Sequence, residues 1–193
     1  DPDSGSGASR KMWVSFGSSI YYSENGYSTE SALANPGGWV EKLIINPAPV
    51  GQTRRGYLYA ATNGGGVYYS TNRGVSWTEI GSLSSAMDVS ITSDGLTIYA
   101  CDDSRTVWGI WKAVSTNGIN FGAWSKIWPT GSMVAQTDYY NLAMKSILVS
   151  PSNDNIVYAC AEGDDFNYDQ SCGSGLWKTI DGGTTWSRYV VSD

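Results

Sequence analysis

Ser70-Thr71-Asn72-Arg73-Gly74-Val75-Ser76-Trp77 and Thr179-Ile180-Asp181-Gly182-Gly183-Thr184-Thr185-Trp186 are two clean copies of one pattern, hydroxyl-x-Asn/Asp-x-Gly-x-hydroxyl-Trp. A looser copy opens at Ser115-Thr116-Asn117-Gly118 and closes on Phe121 or Trp124, and a stretched one runs from Ser23-Glu24-Asn25-Gly26 to Trp39. Their first residues lie 47, 45 and 64 positions apart, a blade-sized period that marks propellers and related arrays.

The repeating unit is larger than the turn. Before each turn stands a short aromatic strand: Ile20-Tyr21-Tyr22, Val67-Tyr68-Tyr69, Ile110-Trp111-Lys112 and Leu176-Trp177-Lys178. Before that comes another: Met12-Trp13-Val14, Tyr57-Leu58-Tyr59-Ala60, Thr97-Ile98-Tyr99-Ala100 and Ile156-Val157-Tyr158-Ala159. Earlier still is an aliphatic run, as in Leu43-Ile44-Ile45, Val89-Ser90-Ile91 and Ile147-Leu148-Val149, and the residues after the closing Trp supply a fourth strand. Short runs of Val, Ile, Tyr and Trp punctuated by Gly, Asn, Asp and Ser predict antiparallel sheet. Residues 133 to 145 are the one weak helical candidate.

The expectation is an all-β propeller of four-stranded antiparallel blades, with strands A to D counted from the axis outward. Residues 1 to 10, Gly- and Ser-rich, read as flexible linker, and 11 to 193 as the propeller segment, with blades near 11–42, 43–82, 87–128 and 145–191. The first unit shows strands B, C and D only, which makes three full blades plus a partial one, cut from or belonging to a larger ring. Two copies sharing a ring, or four blades closing on themselves, are the alternatives.

The turn pattern resembles the Asp-box, or bacterial neuraminidase repeat, of sialidases, sortilin-type receptors, xyloglucanase-type glycoside hydrolases and photosystem assembly factors. Thr179 to Trp186 matches it fully; Asn25, Asn72 and Asn117 stand where the family usually has Asp. Asn keeps the acceptor oxygen that organises such a turn. The resemblance implies a structural role for Ser70, Asn72, Gly74, Trp77, Ser115, Asn117, Thr179, Asp181, Gly183 and Trp186, because such boxes sit at the blade periphery. The residues say the same: Gly74 and Gly183 permit positive φ, and Trp77 and Trp186 can bury large apolar area.

Composition narrows the chemistry. A net charge of −6 and the single basic pair Arg54-Arg55 argue against nucleic acid as a partner. No run of about 20 apolar residues suggests a membrane span, and the start does not read as a signal peptide. There is no histidine, which excludes Ser-His-Asp and Cys-His catalysis and histidine-bound zinc or haem. Cys101 and Cys160 share one repeat position in different blades, while Cys160 and Cys172 flank one hairpin. Cys160 to Cys172 is the expected disulfide, with three free thiols as the alternative; a disulfide implies an oxidising compartment.

Two long connections share the B-to-C and D-to-A face, residues 161 to 174 and 128 to 144. They offer Trp128, Tyr139, Tyr140, Phe166 and Tyr168 beside Asp164 and Asp165 as a candidate ligand surface. Rings stack on sugar CH faces while acids bind hydroxyls, which suits a glycan. Glu162, Asp164, Asp165 and Asp169 are a hard-oxygen set that could take calcium, the one cofactor considered. Xyloglucanase-type enzymes share the phrase Tyr-Ala-x-Thr-Asp-x-Gly-Gly, whose Asp is catalytic. Here the phrase reads Tyr59-Ala60-Ala61-Thr62-Asn63-Gly64-Gly65-Gly66, and an amide is no general base. No catalytic residue is therefore assigned. The expected function is a non-catalytic recognition or scaffold propeller of a secreted, surface or virion protein, partnered by another copy or by the rest of a larger propeller. The alternative is a fragment of a xyloglucanase- or sialidase-like glycoside hydrolase whose acids lie outside the chain.

Overall fold

The computed structural model describes residues 11–26, 28–102, 108–128, 143–162 and 174–189. Among them every regular element is a strand, and each sheet is a meander in which sequence neighbours pair antiparallel. The first sheet has three strands, β1 (Met12–Phe16), β2 (Ser19–Ser23) and β3 (Ser31–Leu33). The second has four, β4 (Trp39–Ile45), β5 (Leu58–Asn63), β6 (Gly66–Ser70) and β7 (Thr78–Glu79). The third comprises β8 (Asp88–Ile91), β9 (Thr97–Asp102), β10 (Gly109–Val114) and β11 (Ser125–Trp128), and the fourth β12 (Ala143–Ser150), β13 (Asn153–Glu162), β14 (Gly175–Thr179) and β15 (Ser187–Tyr189). The inner strands β4, β8 and β12 lie side by side, and β1 packs against β4. The protein is an all-β propeller segment of antiparallel blades.

Two boundaries differ from the sequence reading. β4 begins at Trp39, so residues 39 to 42 belong to the second sheet and not to the first. Residues 143 to 145 of the weak helical candidate lie in β12, and the rest of that candidate is outside the described residues.

Polar satisfaction explains why the repeated turn forms. The Ser70 hydroxyl accepts the Gly74 N–H at 2.8 Å and donates to Asn72 Oδ1 at 2.9 Å. Asn72 Oδ1 accepts the Ser76 N–H at 2.9 Å, and its Nδ2 donates to Ser76 Oγ at 2.8 Å. Thr179, Asp181 and Thr185 repeat the arrangement, except that the Thr185 hydroxyl now donates to Asp181 Oδ2 at 2.6 Å. Exchanging amide for carboxylate thus only reverses one hydrogen bond. The first turn is as compact: Asn25 Oδ1 accepts the Thr29 N–H at 2.9 Å, and Asn25 Nδ2 donates to Thr29 Oγ1 at 2.8 Å. It therefore closes at Glu30, the position Trp77 holds in the second turn. Trp39, the stretched sequence match, plays no part in it.

The second, third and fourth turns press on the blade before them. Gly74 has φ +87°, and a β-carbon there would come 2.8 Å from Leu33 Cδ1; at Gly183, with φ +98°, it would come 2.5 Å from Ile127 Cδ1. Any side chain would push the blades apart as well as strain the backbone. The closing indoles reach the same way, Trp77 Nε1 donating to the Ala34 carbonyl at 3.0 Å and Trp124 Nε1 to the Ile80 carbonyl at 2.5 Å. Trp124, not Phe121, is thus the closing residue of the third turn. Trp186 packs against the core between blades 3 and 4.

A second contact runs from blade to blade in the opposite sense. Trp13 Nε1 donates to the Arg73 carbonyl at 3.2 Å, Tyr59 Oη to the Gly118 carbonyl at 2.7 Å, and Tyr99 Oη to the Gly182 carbonyl at 3.2 Å. In each case a B-strand aromatic reaches a backbone carbonyl in the following blade's turn. Burial pushes the Tyr59 and Tyr99 phenols up to about 12, so both remain donors at any physiological pH. Around these contacts sit three apolar clusters, one per interface. Ile20, Val40 and Ala60 centre the first, Tyr59, Val67, Ile98 and Ala113 the second, and Tyr99, Ile110, Ile147 and Trp177 the third.

Candidate functional site

The connections on the B-to-C and D-to-A face position an aromatic surface at blades 1 and 2. β1 ends at Phe16, and the turn through Gly17 leaves that ring 83% exposed. The Val40 N–H donates to the Gly17 carbonyl at 2.8 Å, which ties the start of β4 to this turn. Asn35 fastens the connection from the other side: Nδ2 donates to the Ser18 carbonyl at 2.7 Å, and Oδ1 accepts the N–H groups of Gly37 and Gly38 at 2.5 and 3.1 Å. The result is a fixed seat for Trp39. Its benzo ring lies over Gly17, where an added β-carbon would stand 3.6 Å from it, yet the residue remains 62% exposed. An indole backed by a glycine and open to solvent is a stacking platform.

Polar groups border that platform. Asn63 pairs directly with Trp39 across β4 and β5. Its Nδ2 donates to Glu41 Oε1 at 3.5 Å, and its Oδ1 accepts the Ser85 hydroxyl at 3.4 Å. Both bonds are long, so the carboxamide can exchange them for ligand hydroxyls. The arrangement suits recognition of a neutral polyol. It lacks the acid that the catalytic phrase would place at 63.

Two further carboxylates, Asp88 on the inner strand β8 and Asp102 on β9, are committed to structure. Asp88 is buried, with Oδ1 facing Lys42 Nζ at 3.3 Å and accepting its neighbour's N–H at 2.8 Å. Its Oδ2 accepts the Ser146 hydroxyl at 2.8 Å and the Ile147 N–H at 3.1 Å. One carboxylate thereby joins the inner strands of three blades. Asp102 is fully buried and lies near Lys126. The Lys126 ammonium stands 5.3 Å from the Trp108 ring and 5.8 Å from the Trp111 ring, and burial draws its pKa down.

The sequence-predicted ligand residues fare unequally. Trp128 is 2% exposed, and its ring packs 5.8 Å from Trp108 and 4.8 Å from Trp177. That indole is core, not ligand surface, because the D strand turns it inward at the bulge beside Ile110. Tyr139, Tyr140, Asp164, Asp165, Phe166, Tyr168, Asp169 and Cys172 lie outside the described residues. Glu162 is exposed at the end of β13 and pairs with Lys145 at 3.9 Å. Among the described residues no three metal-ligating side chains gather. Cys101 is buried in β9 and Cys160 exposed on β13. Trp39 and Phe16 are what sequence reasoning missed. A usable signal existed, since Glu30 and not Trp39 stands seven residues after the opening hydroxyl of the first turn, as Trp77 and Trp186 do in theirs.

No family model matches the chain. It is 27% identical over 176 residues to the xyloglucanase of Hypocrea jecorina (strain QM6a), an alignment covering 81% of this chain and 18% of that enzyme. Among solved structures, the GH74 enzyme of Niastella koreensis superposes with a TM-score of 0.66 at 20% identity, covering 96% of this chain and 28% of the other. The GH74 xyloglucanase of Xanthomonas campestris gives 0.65 at 12% identity, with 93% and 28% covered. The structural likeness establishes the propeller fold, and the chain spans less than a third of each of these relatives. No helix among the described residues is long and apolar enough to cross a membrane.

Proposed function

We propose that this chain is a polysaccharide-binding propeller segment of a xyloglucanase-like glycoside hydrolase, and that Trp39, Phe16 and Asn63 contribute to its sugar-binding face. The observation that carries the reading is the open indole of Trp39, 62% exposed and fixed over Gly17, with a carboxamide directly across from it. A neutral glucan offers that surface CH faces to stack and hydroxyls to bond. The sequence relation to a xyloglucanase supports xyloglucan as the polymer. Hydrolysis usually needs a pair of carboxylates. Asn63 occupies the position of one, so the acid and base come from outside these residues. Such a protein works where plant polysaccharides are, outside the cell.

Native affinity electrophoresis through gels containing xyloglucan tests this. The chain should be retarded by xyloglucan and much less by mannan, Trp39→Ala should migrate as in a polymer-free gel, and no reducing ends should be released. Equal mobility in all gels would reject the binding role. A non-catalytic recognition propeller is the second reading, favoured by the amide at Asn63. Absence of hydrolysis by the full-length parent protein, with binding retained, would select it.

A further inference from the structure

Asn-Gly occurs three times in the chain, at Asn25-Gly26, Asn63-Gly64 and Asn117-Gly118. In this dipeptide the glycine nitrogen can attack the preceding carboxamide, because no side chain shields it and the five-membered ring closes within one chain. The structure distinguishes the three copies. Asn117 Oδ1 accepts the N–H groups of Ile119 and Asn120 at 3.1 and 2.9 Å, and the buried Gly118 donates its N–H to Ser115 Oγ at 2.9 Å. Asn25 is fixed by Thr29 through both ends of its amide, at 2.9 and 2.8 Å. Asn63 is set differently. It is exposed, ends β5 at the tip of the β5–β6 hairpin, and its amide is held by two long bonds, at 3.5 Å to Glu41 and 3.4 Å to Ser85.

The groups that would react are gathered at that tip. Gly64 is exposed, with φ +80°, and a side chain there would meet no atom within 4 Å. Its N–H donates to Ser85 Oγ at 3.4 Å, and the Ser85 hydroxyl donates to Asn63 Oδ1 at 3.4 Å. One hydroxyl of a buried residue thus bridges the nucleophile and the carbonyl it attacks, and the Ala86 N–H anchors that segment to the Thr62 carbonyl at 3.0 Å. The Glu41 carboxylate faces the amide nitrogen that leaves. We propose that Asn63-Gly64 is a self-processing site at which the hairpin converts its own amide to a carboxylate, with Ser85 as proton relay. The Gly64 nitrogen bonds to Asn63 Cγ, and Ser85 takes its proton while passing its own to Oδ1. The Cγ–Nδ2 bond then breaks, that proton leaves with the nitrogen as ammonia, and a succinimide remains. Water opens the ring at Cγ to give aspartate, or at the backbone carbonyl to give the β-linked isomer. The net change is amide plus water to acid plus ammonia. The aspartate product stands directly across from Trp39, where the catalytic phrase carries its acid, so the amide is the unprocessed form of that position. This consequence rests on the sugar-binding reading; the reaction itself does not.

Incubation of the folded chain in heavy-oxygen water at mildly alkaline pH, followed by peptide mass spectrometry, reads the outcome. Position 63 should lose ammonia and gain one heavy oxygen about tenfold or more faster than Asn25 or Asn117. Ser85→Ala should slow the reaction about tenfold, below the usual range for positioned proton transfer because both hydrogen bonds are long, and Ser85→Thr should restore it. Asn63→Gln, whose ring would be six-membered, should stay intact. In urea the three sites should react alike and Ser85→Ala should have no effect, which separates the folded geometry from the dipeptide. Circular dichroism verifies that each variant is folded. An amide at 63 that survives as long as those at 25 and 117, or a folded-state rate indifferent to Ser85→Ala, would overturn the proposal. None of these readouts uses a polysaccharide, so a failure here leaves the binding reading to its own test.

Discussion

Tyr59→Phe isolates one blade-to-blade hydrogen bond without changing the packing of the ring. Tyr59 is fully buried, and its hydroxyl accepts from Asn46 Nδ2 at 2.9 Å while donating to the Gly118 carbonyl at 2.7 Å. Deleting the oxygen leaves Asn46 with its weaker bond to the Gly95 carbonyl at 3.3 Å. Gly118 is buried too, so its carbonyl loses the phenol donor in a place closed to solvent. An orphaned buried acceptor costs about 1–3 kcal/mol, and the loosened Asn46 bond adds to it, so about 2 kcal/mol is expected. For a domain of this size that corresponds to a fall in Tm of about 4–8 °C. Tyr158→Phe removes the same atom from the equivalent strand position of the last blade, where the side chain is half-buried. It should change stability by less than about 0.5 kcal/mol, as solvent-facing substitutions do. Urea denaturation of both variants compares them directly. If Tyr59→Phe and Tyr158→Phe proved indistinguishable, the interface bonds would not hold the blades as argued.

Trp77→Ala should destabilise by about 3 kcal/mol, at the low end for large aromatic truncations because part of the indole is exposed; urea unfolding measures it, and a loss below about 0.5 kcal/mol would remove Trp77 from the interface. The Thr185 hydroxyl, then its N–H, then the Thr179 hydroxyl hold the Asp181 carboxylate well below the usual range. Since the folded pKa is depressed, the stabilisation is complete above the unfolded value near 4 and fades as pH falls below it. Asp181→Asn, which installs the residue of the other three turns, should therefore flatten the acid limb of Tm against pH between pH 5 and pH 2 on this scale; parallel curves would refute the assignment. Calcium held by Glu162, Asp164, Asp165 and Asp169 would raise Tm at millimolar concentration, reversibly with chelator, and an unchanged Tm disposes of that site.

Turn chemistry is local, and local chemistry was legible. Ser70, Asn72 and Gly74 satisfy one another within five residues, so their spacing announces the turn wherever it recurs. Strand order followed from the period. What the sequence could not announce was the destination of contacts made to backbone. The Gly118 and Gly182 carbonyls that receive Tyr59 and Tyr99 carry no side-chain signature, and the aromatics alone look like ordinary strand residues. Trp39 was misassigned because an indole after a turn resembles a closing Trp at any spacing, while its real setting depends on Gly17 from a different strand pair. Trp128 shows the converse error. Its place beside a long polar connection suggested exposure, but the bulge between β10 and β11 turns the ring into the core.

The central claim is that the face around Trp39 binds a neutral glucan, and a crystal structure of the chain soaked with a xyloglucan oligosaccharide tests it most directly. The account predicts a sugar ring stacked on the open side of the Trp39 indole, with a hydroxyl bonded to the Asn63 carboxamide in place of Glu41 or Ser85. A saccharide bound elsewhere with Trp39 bare, or none bound at saturating concentration, would contradict it.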